Sequence, residues 1–163
     1  MKQSFLILIF SCLFFATVGC GKQTNMPKLV PCHITVTDNG VPVAGARISM
    51  ADESSAESLA INGITDSFGV AKMRTTYTKY TASGVPQGTF KVAIDKEPPN
   101  LPPQNVTDDM NEQQADAAMK KWEEEVDQLR IIPKNLIFIS TTPITLEIKE
   151  KSNLNIDIAD YKK

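Results

Sequence analysis

Gly84-Val85-Pro86-Gln87-Gly88-Thr89-Phe90-Lys91-Val92-Ala93-Ile94 is the stretch of the chain that most clearly decides its fold. In its second half, Phe90, Val92 and Ile94 share one face, because successive side chains of a strand point to opposite sides. Glycine and proline, which mark turns, precede this alternating run. We therefore predict a central strand whose inner face is formed by these three apolar side chains.

Four earlier segments repeat the two-residue period. One turn sequence separates the first from the second, and another separates the third from the fourth. The segments are residues 29–37, 44–50, 59–64 and 70–76, and the turns are Asp38-Asn39-Gly40 and Asp66-Ser67-Phe68-Gly69. In the first two segments the apolar faces are formed by Cys32, Ile34, Val36, Ala46, Ile48 and Met50. Short strands at turn-marked spacing predict an all-β antiparallel sandwich or barrel.

Residues 95–132 interrupt this pattern with an insertion of different composition. Four prolines within residues 97–103 remove amide donors and favour an extended conformation over a central strand. Beyond the capping residues Thr107-Asp108-Asp109, an apolar stripe has helical spacing: Ala115, Ala118, Met119, Trp122, Val126 and Leu129. The pattern predicts one amphipathic helix over about 108–131, ended by Pro133. We expect its stripe to pack on the sandwich, with a partner-binding helix as the alternative.

Several of these stretches resemble bacterial transthyretin-like and carboxypeptidase-regulatory-like lipoproteins. The similarity lies in residues 31–48, in Thr65-Asp66 followed by Gly69, in residues 84–92, and at the end of the chain in Ile132-Pro133, residues 141–146 and residues 153–158. The chain departs from the family at Ile34, where glycine is usual, and in the insertion. The resemblance implies a prealbumin-like antiparallel β-sandwich of about seven strands, and a fold of this kind does not specify an activity.

The N-terminus resembles the signal of a bacterial lipoprotein. Residues 5–18 are almost entirely apolar, and Ala16-Thr17-Val18-Gly19-Cys20 resembles a lipobox in which Thr17 replaces the usual leucine. The run corresponds to roughly 21 Å of helix, too short for the roughly 30 Å hydrocarbon core of a bilayer.

The resemblance divides the chain into three parts. Residues 1–19 form a signal peptide, residues 20–28 form a lipidated Cys20 with a polar tether, and residues 29–163 form the transthyretin-like domain with its helical insertion at 95–132. Gly21, rather than an aspartate, follows the cysteine, and this implies export to the outer membrane of the cell envelope. The first expected partner is therefore the membrane itself, through the lipid anchor.

The composition of the chain argues against several classes of function. The net charge of −2 provides no broad basic surface of the kind that nucleic acid requires. The chain has one histidine, whereas hydroxyisourate hydrolases and intradiol dioxygenases, enzymes with related folds, use several. Once Cys20 is lipidated, Cys32 has no disulfide partner in the mature domain, so we expect apolar packing to hold the fold. We expect no catalysis and no cofactor.

The candidate site residues are few. Cys32 and His33 are neighbours on a strand and point to opposite faces, so we expect a buried thiol, a surface imidazole and no metal site. We interpret Asp66 as a turn residue. Tyr77 and Tyr80 are candidate binding residues, and so is Trp122 on the helical stripe.

Two functions remain open. The first is an envelope accessory or interaction module that presents its loops and helix to another envelope protein. The second is a binder of a small ligand or glycan that stacks on Tyr77, Tyr80 and Phe68 at one end of the sandwich. An enzyme ranks third, because the sequence contains no visible catalytic constellation.

Overall fold

The computed structural model describes residues 27–52, 59–78 and 80–162, and confirms an all-β sandwich with a helical insertion. The signal peptide, Cys20 and most of the tether lie outside the described residues. The strands are β1 (Leu29–Val30), β2 (Cys32–Asp38), β3 (Val41–Pro42), β4 (Arg47–Ala51), β5 (Ala60–Ile64), β6 (Val70–Lys72), β7 (Arg74–Tyr77), β8 (Tyr80–Ser83), β9 (Val85–Pro86), β10 (Gly88–Asp95), β11 (Thr145–Ile148) and β12 (Ser152–Asp157). The helices are α1 (Glu112–Leu129), α2 (Lys134–Ile137) and a 3-10 helix (Ile158–Tyr161).

The strands form two main sheets and one short pair. The larger sheet has the order β11-β10-β4-β5-β7-β8, and all of its pairs are antiparallel. The smaller sheet is built on β2, which pairs with β12 on one side and with both β3 and β6 on the other. At the start of the domain, β1 pairs with β9. The described strand segments therefore number twelve rather than about seven, because several strands are broken into short pieces.

The core lies between the two sheets and matches the predicted inner faces. Phe90, Val92 and Ile94 of β10 are buried, and so are the predicted apolar residues of β2 and β4: Cys32, Ile34, Val36, Ala46, Ile48 and Met50. Asn39 and Gly40 both have positive φ, as the tight hairpin turn between β2 and β3 requires. The alternation of apolar residues thus identified the correct face of each strand.

Residues 70–76 do not form one strand. The segment breaks at the buried residue Met73, so that β6 pairs with β2 in the smaller sheet while β7 pairs with β5 in the larger one. The Met73 amide donates to the Cys32 carbonyl, and the Met73 carbonyl accepts from Gly84. A chain that changes sheets at one residue closes this side of the sandwich.

The last strand pairs in a direction that the hairpin pattern did not predict. β12 runs parallel to β2, with Ser152 opposite Cys32 and Asp157 opposite Thr37. The Asp157 carboxylate accepts hydrogen bonds from the amides of Asn39, Gly40 and Ala159, at 2.9, 2.9 and 3.0 Å. These bonds connect the C-terminal segment to the first hairpin and lower the pKa of Asp157.

The helical insertion is longer than predicted and its main helix is shorter. The chain leaves the larger sheet after Asp95 and returns to it at Thr145. The insertion therefore spans residues 96–144 rather than 95–132. The helix is Glu112–Leu129 rather than about 108–131, and Pro133 stands at the N-cap of α2 instead of directly ending α1. Among the described residues, no helix is long and apolar enough to cross a bilayer.

Candidate functional site

The start of α1 is fixed by a reciprocal pair of hydrogen bonds. The Asn111 side chain accepts from the Gln114 amide at 3.0 Å, and the Asn111 amide donates to the Gln114 side chain at 3.1 Å. In this capping box, the two backbone amides each have a side-chain acceptor. This explains why the helix begins here and not at Thr107-Asp108-Asp109. Glu112 in the first turn suits the positive end of the helix dipole.

The apolar stripe of α1 is only partly covered. Val126 is buried and Trp122 is half-buried, while Leu129, expected on the packed face, is exposed. The indole N–H of Trp122 donates to the Pro102 carbonyl at 2.8 Å. Trp122 therefore attaches α1 to the proline-rich segment of the insertion, and Val126 lies outside the main hydrophobic core.

The short helix α2 provides the firmer link to the sandwich. Leu136 is fully buried in the core, and α2 packs on β10. Ala93 of β10 is consequently buried as well, so this strand is covered on both faces near its centre. The Thr142 hydroxyl donates to the Val92 carbonyl at 2.6 Å and fixes the chain beyond α2.

Between the two helices lies an apolar groove of about 270 Å³. Its apolar lining residues are Trp122 and Val126 from α1 and Ile137 and Phe138 from α2 and the residue after it. Its charged lining residues are Glu123, Asp127, Arg130 and Lys134. Phe138 is 58% exposed, and Leu129 and Ile131, at the end of α1 and just after it, are 48% and 40% exposed. We call Leu129, Ile131 and Phe138 together the insertion face.

A charge network forms part of the lining of this groove. Asp127 binds Lys134 at 2.6 Å and lies 3.4 Å from Nε of Arg130, and Nη1 of Arg130 binds Asp95 at 3.1 Å. The hydrogen bond to Asp127 and the charge of that carboxylate raise the pKa of Lys134. Since Asp95 ends β10, this network holds the end of α1 against the edge of the larger sheet.

The structure does not bring the three predicted stacking residues together. Tyr77 and Tyr80 are directly opposite each other at the tip of the β7–β8 hairpin, and Tyr80 is 59% exposed. Phe68, 74% exposed, lies on the turn beyond Ile64. Because Tyr77 adjoins the Ala60 end of β5 and Phe68 follows its Ile64 end, the tyrosines and Phe68 lie at opposite ends of the sandwich.

The surroundings of the other candidate residues indicate structural roles. Burial raises the pKa of the Cys32 thiol to about 11, so the reactive thiolate is not formed at neutral pH. His33 Nδ1 lies 3.2 Å from the Asn153 side chain. The Asp66 carboxylate accepts from the amides of Phe68 and Val70, as expected of a turn residue. Within residues 27–52, 59–78 and 80–162, no group of three His, Cys, Asp or Glu side chains is arranged to hold a metal ion.

Comparison with known proteins yields no family. No family model matches the chain, and no curated protein matches it. A solved structure of a variant of BcpA, the major pilin subunit of Bacillus cereus, is similar at 16% identity and a TM-score of 0.38. The likeness covers 81% of this chain and 30% of the pilin subunit, so this chain spans less than a third of that protein. The resemblance to transthyretin-like lipoproteins stays an expectation from the sequence.

Sequence reasoning missed Ile131 and Phe138 as members of the insertion face. The helical period identified Trp122 and Val126, but it could not show that the chain turns after Arg130 and begins a second helix at Lys134. The one available signal was Pro133, because proline is favoured at a helix start as well as after a helix end.

Proposed function

We propose that this protein is a membrane-anchored lipoprotein whose non-catalytic β-sandwich serves as an interaction module of the bacterial cell envelope. The observation that carries the proposal is the insertion face: three large apolar side chains are exposed on the helical insertion, and one of them, Phe138, lines the apolar groove. Exposed apolar side chains that are grouped in this way mark interaction sites more often than isolated ones do. The partner we propose is another envelope protein.

The position of the insertion face suits a tethered domain. The described chain enters at β1, and β2 leads away from that end over about 20 Å of extended strand. The Asp95 end of β10, where Arg130 is bound, lies with Arg47 at the far end of the sheet. A tether from a lipidated Cys20 would therefore place the insertion face on the side away from the membrane.

The anchor is tested by metabolic labelling with a fatty acid. We expect the wild-type protein to take up label in the membrane fraction and the Cys20→Ala variant to take up none. Equal labelling of both proteins, or no labelling of either, would contradict lipidation at Cys20.

The interaction module is tested by quantitative capture from solubilised envelopes. We expect a Leu129→Ser/Phe138→Ser double variant to lose one specific captured protein that the wild type retains, with an unchanged melting temperature, because both side chains are exposed. Phe68→Ser is the matched control, since Phe68 is also exposed but does not belong to the insertion face. If the double variant captures the same proteins as the control, the insertion face is not the binding surface.

A further inference from the structure

A second cleft lies beside Arg130 and shares Asp127, Arg130 and Lys134 with the apolar groove. It measures about 490 Å³ and is formed by the end of α1, the start of α2 and the C-terminal residues Tyr161 and Lys162. This volume falls within the roughly 300–1,000 Å³ that is usual for small-molecule sites. Three separate parts of the chain thus meet around one open space.

The charges that line this cleft are unbalanced. Arg130, Lys134 and Lys162 contribute three positive charges, and among the described lining residues Asp127 is the one carboxylate. Asp95 and Asp38, which pair with Arg130 and Lys162, lie outside the lining. A cleft with this excess of cations favours an anionic ligand.

Each of the three cations is held in position by a carboxylate, but the ion pairs leave hydrogen-bonding capacity for a ligand. Lys134 binds Asp127 at 2.6 Å and Lys162 binds Asp38 at 2.7 Å. The two lysine side chains are 74% and 42% exposed, and exposed ion pairs of this kind are weak. The Nε–H of Arg130 is buried and has no hydrogen-bond partner among the described residues, although Asp127 is 3.4 Å away. Such unsatisfied donors are rare, and a small shift of the guanidinium toward an anion in the cleft would supply an acceptor.

The remaining walls are apolar. Ile131 is partly exposed, Pro133 lies between it and Lys134, and Tyr161 contributes an aromatic ring from the 3-10 helix. Apolar walls with a few placed polar groups are typical of sites that orient an organic ligand.

We propose that this cleft binds a small organic anion, with its phosphate or carboxylate group at Arg130, Lys134 and Lys162 and its apolar body against Ile131 and Tyr161. The cleft shares Ile131 with the insertion face, but its proposed ligand is a small molecule and not the envelope protein. Phosphate and carboxylate share the chemistry that these cations recognise, so the experiment includes a probe of each kind.

The test is calorimetric titration of the purified full-length protein in detergent with phenyl phosphate and phenylacetate. We expect saturable binding of at least one probe, and the tighter probe identifies the anionic group. Inorganic phosphate should bind more weakly, because it lacks an apolar body, and benzyl alcohol should not bind. Lys134→Gln and Lys162→Gln should each weaken binding roughly tenfold, the loss expected for one charge-assisted hydrogen bond.

Lys149→Gln is the matched control, because Lys149 is an exposed lysine in a surface ion pair with Glu147, outside the cleft. It should bind the probes as the wild type does, and melting curves should show that all three variants fold. The proposal is overturned if neither probe binds at millimolar concentration, if benzyl alcohol binds as well as the anions, or if Lys149→Gln weakens binding as much as the cleft variants.

Discussion

At the scale of single residues, Phe90 is the largest side chain fully enclosed by the core. Phe90→Ala should lower the free energy of unfolding by about 3–5 kcal/mol, because it removes buried contacts and leaves a cavity. Phe68→Ala is the control for the same chemical change at an exposed site, and should cost less than about 0.5 kcal/mol. Chemical denaturation of the two variants provides the measurement, and similar losses in both would show that Phe90 is not in the core.

Asp157 makes the fold sensitive to acid. The hydrogen bond from Ala159 is the largest cause of its lowered pKa, followed by the bond from Gly40. A carboxyl whose pKa is lower in the folded state stabilises the fold above its unfolded pKa of about 3.9, and this stability is lost as the pH falls below that value. Asp157→Asn should therefore lower the melting temperature at neutral pH, and its difference from the wild type should shrink below about pH 4.

The control for this prediction is Asp160→Asn, which changes an exposed carboxyl on the adjoining 3-10 helix. Melting temperatures of the three proteins across the acid range provide the comparison. A difference between wild type and Asp157→Asn that stays constant as the pH falls would show that the carboxylate charge is not what holds the hairpin.

For single residues, prediction from the sequence succeeded where the alternation of side chains along a strand determines which of them are buried. Phe90, Val92 and Ile94 were correctly placed in the core because a strand alternates its faces whatever surrounds it. Ala93 was assigned by the same rule to the outer face, and it is buried because α2 covers it from residues more than 40 positions away. The alternation of residues along one strand cannot predict that a helix from a distant part of the chain covers that strand.

At the scale of elements, α1 buries only one of its 18 side chains, Val126. Trp122→Phe keeps an aromatic ring but removes the hydrogen bond to Pro102, so it should loosen the helix by about 0.5–1.5 kcal/mol. In hydrogen exchange, we expect the amides of α1 to exchange faster in the variant while those of β10 keep their protection. Glu124→Gln, at an exposed position of the same helix, should change neither.

The opposite pattern would contradict this view of the helix. If Trp122→Phe accelerates exchange in β10 as much as in α1, the helix is part of the same cooperative unit as the sandwich. If it changes neither element, the bond between Trp122 and Pro102 does not hold α1 in place.

The element boundaries show how far local signals reach. The sequence analysis identified Thr107-Asp108-Asp109 as the capping residues, but the reciprocal bonds of Asn111 and Gln114 set the start of α1. The existence and type of the helix followed from its period, whereas its start depended on a competition between neighbouring caps. The apolar groove could not be predicted, because it needs the turn between α1 and α2.

At the scale of the whole molecule, the sandwich depends on contacts between distant parts of the chain. The parallel pairing of β12 with β2 joins residues about 120 positions apart, and no hairpin signal predicts it. The cleft beside Arg130 combines α1, α2 and the C-terminus in the same way, which is why its cations looked like ordinary surface charges in the sequence. Strand patterns therefore predicted the fold class, while both concave surfaces arise from tertiary placement.

The central claim is that the insertion face binds another envelope protein. Photo-crosslinking in living cells tests it most directly, with a photoreactive amino acid at Phe138 and, as control, at Phe68, since both side chains are exposed. We predict a discrete crosslinked adduct with one envelope protein from position 138 and none from position 68. Absence of an adduct at position 138, or the same adducts from both positions, would contradict the account.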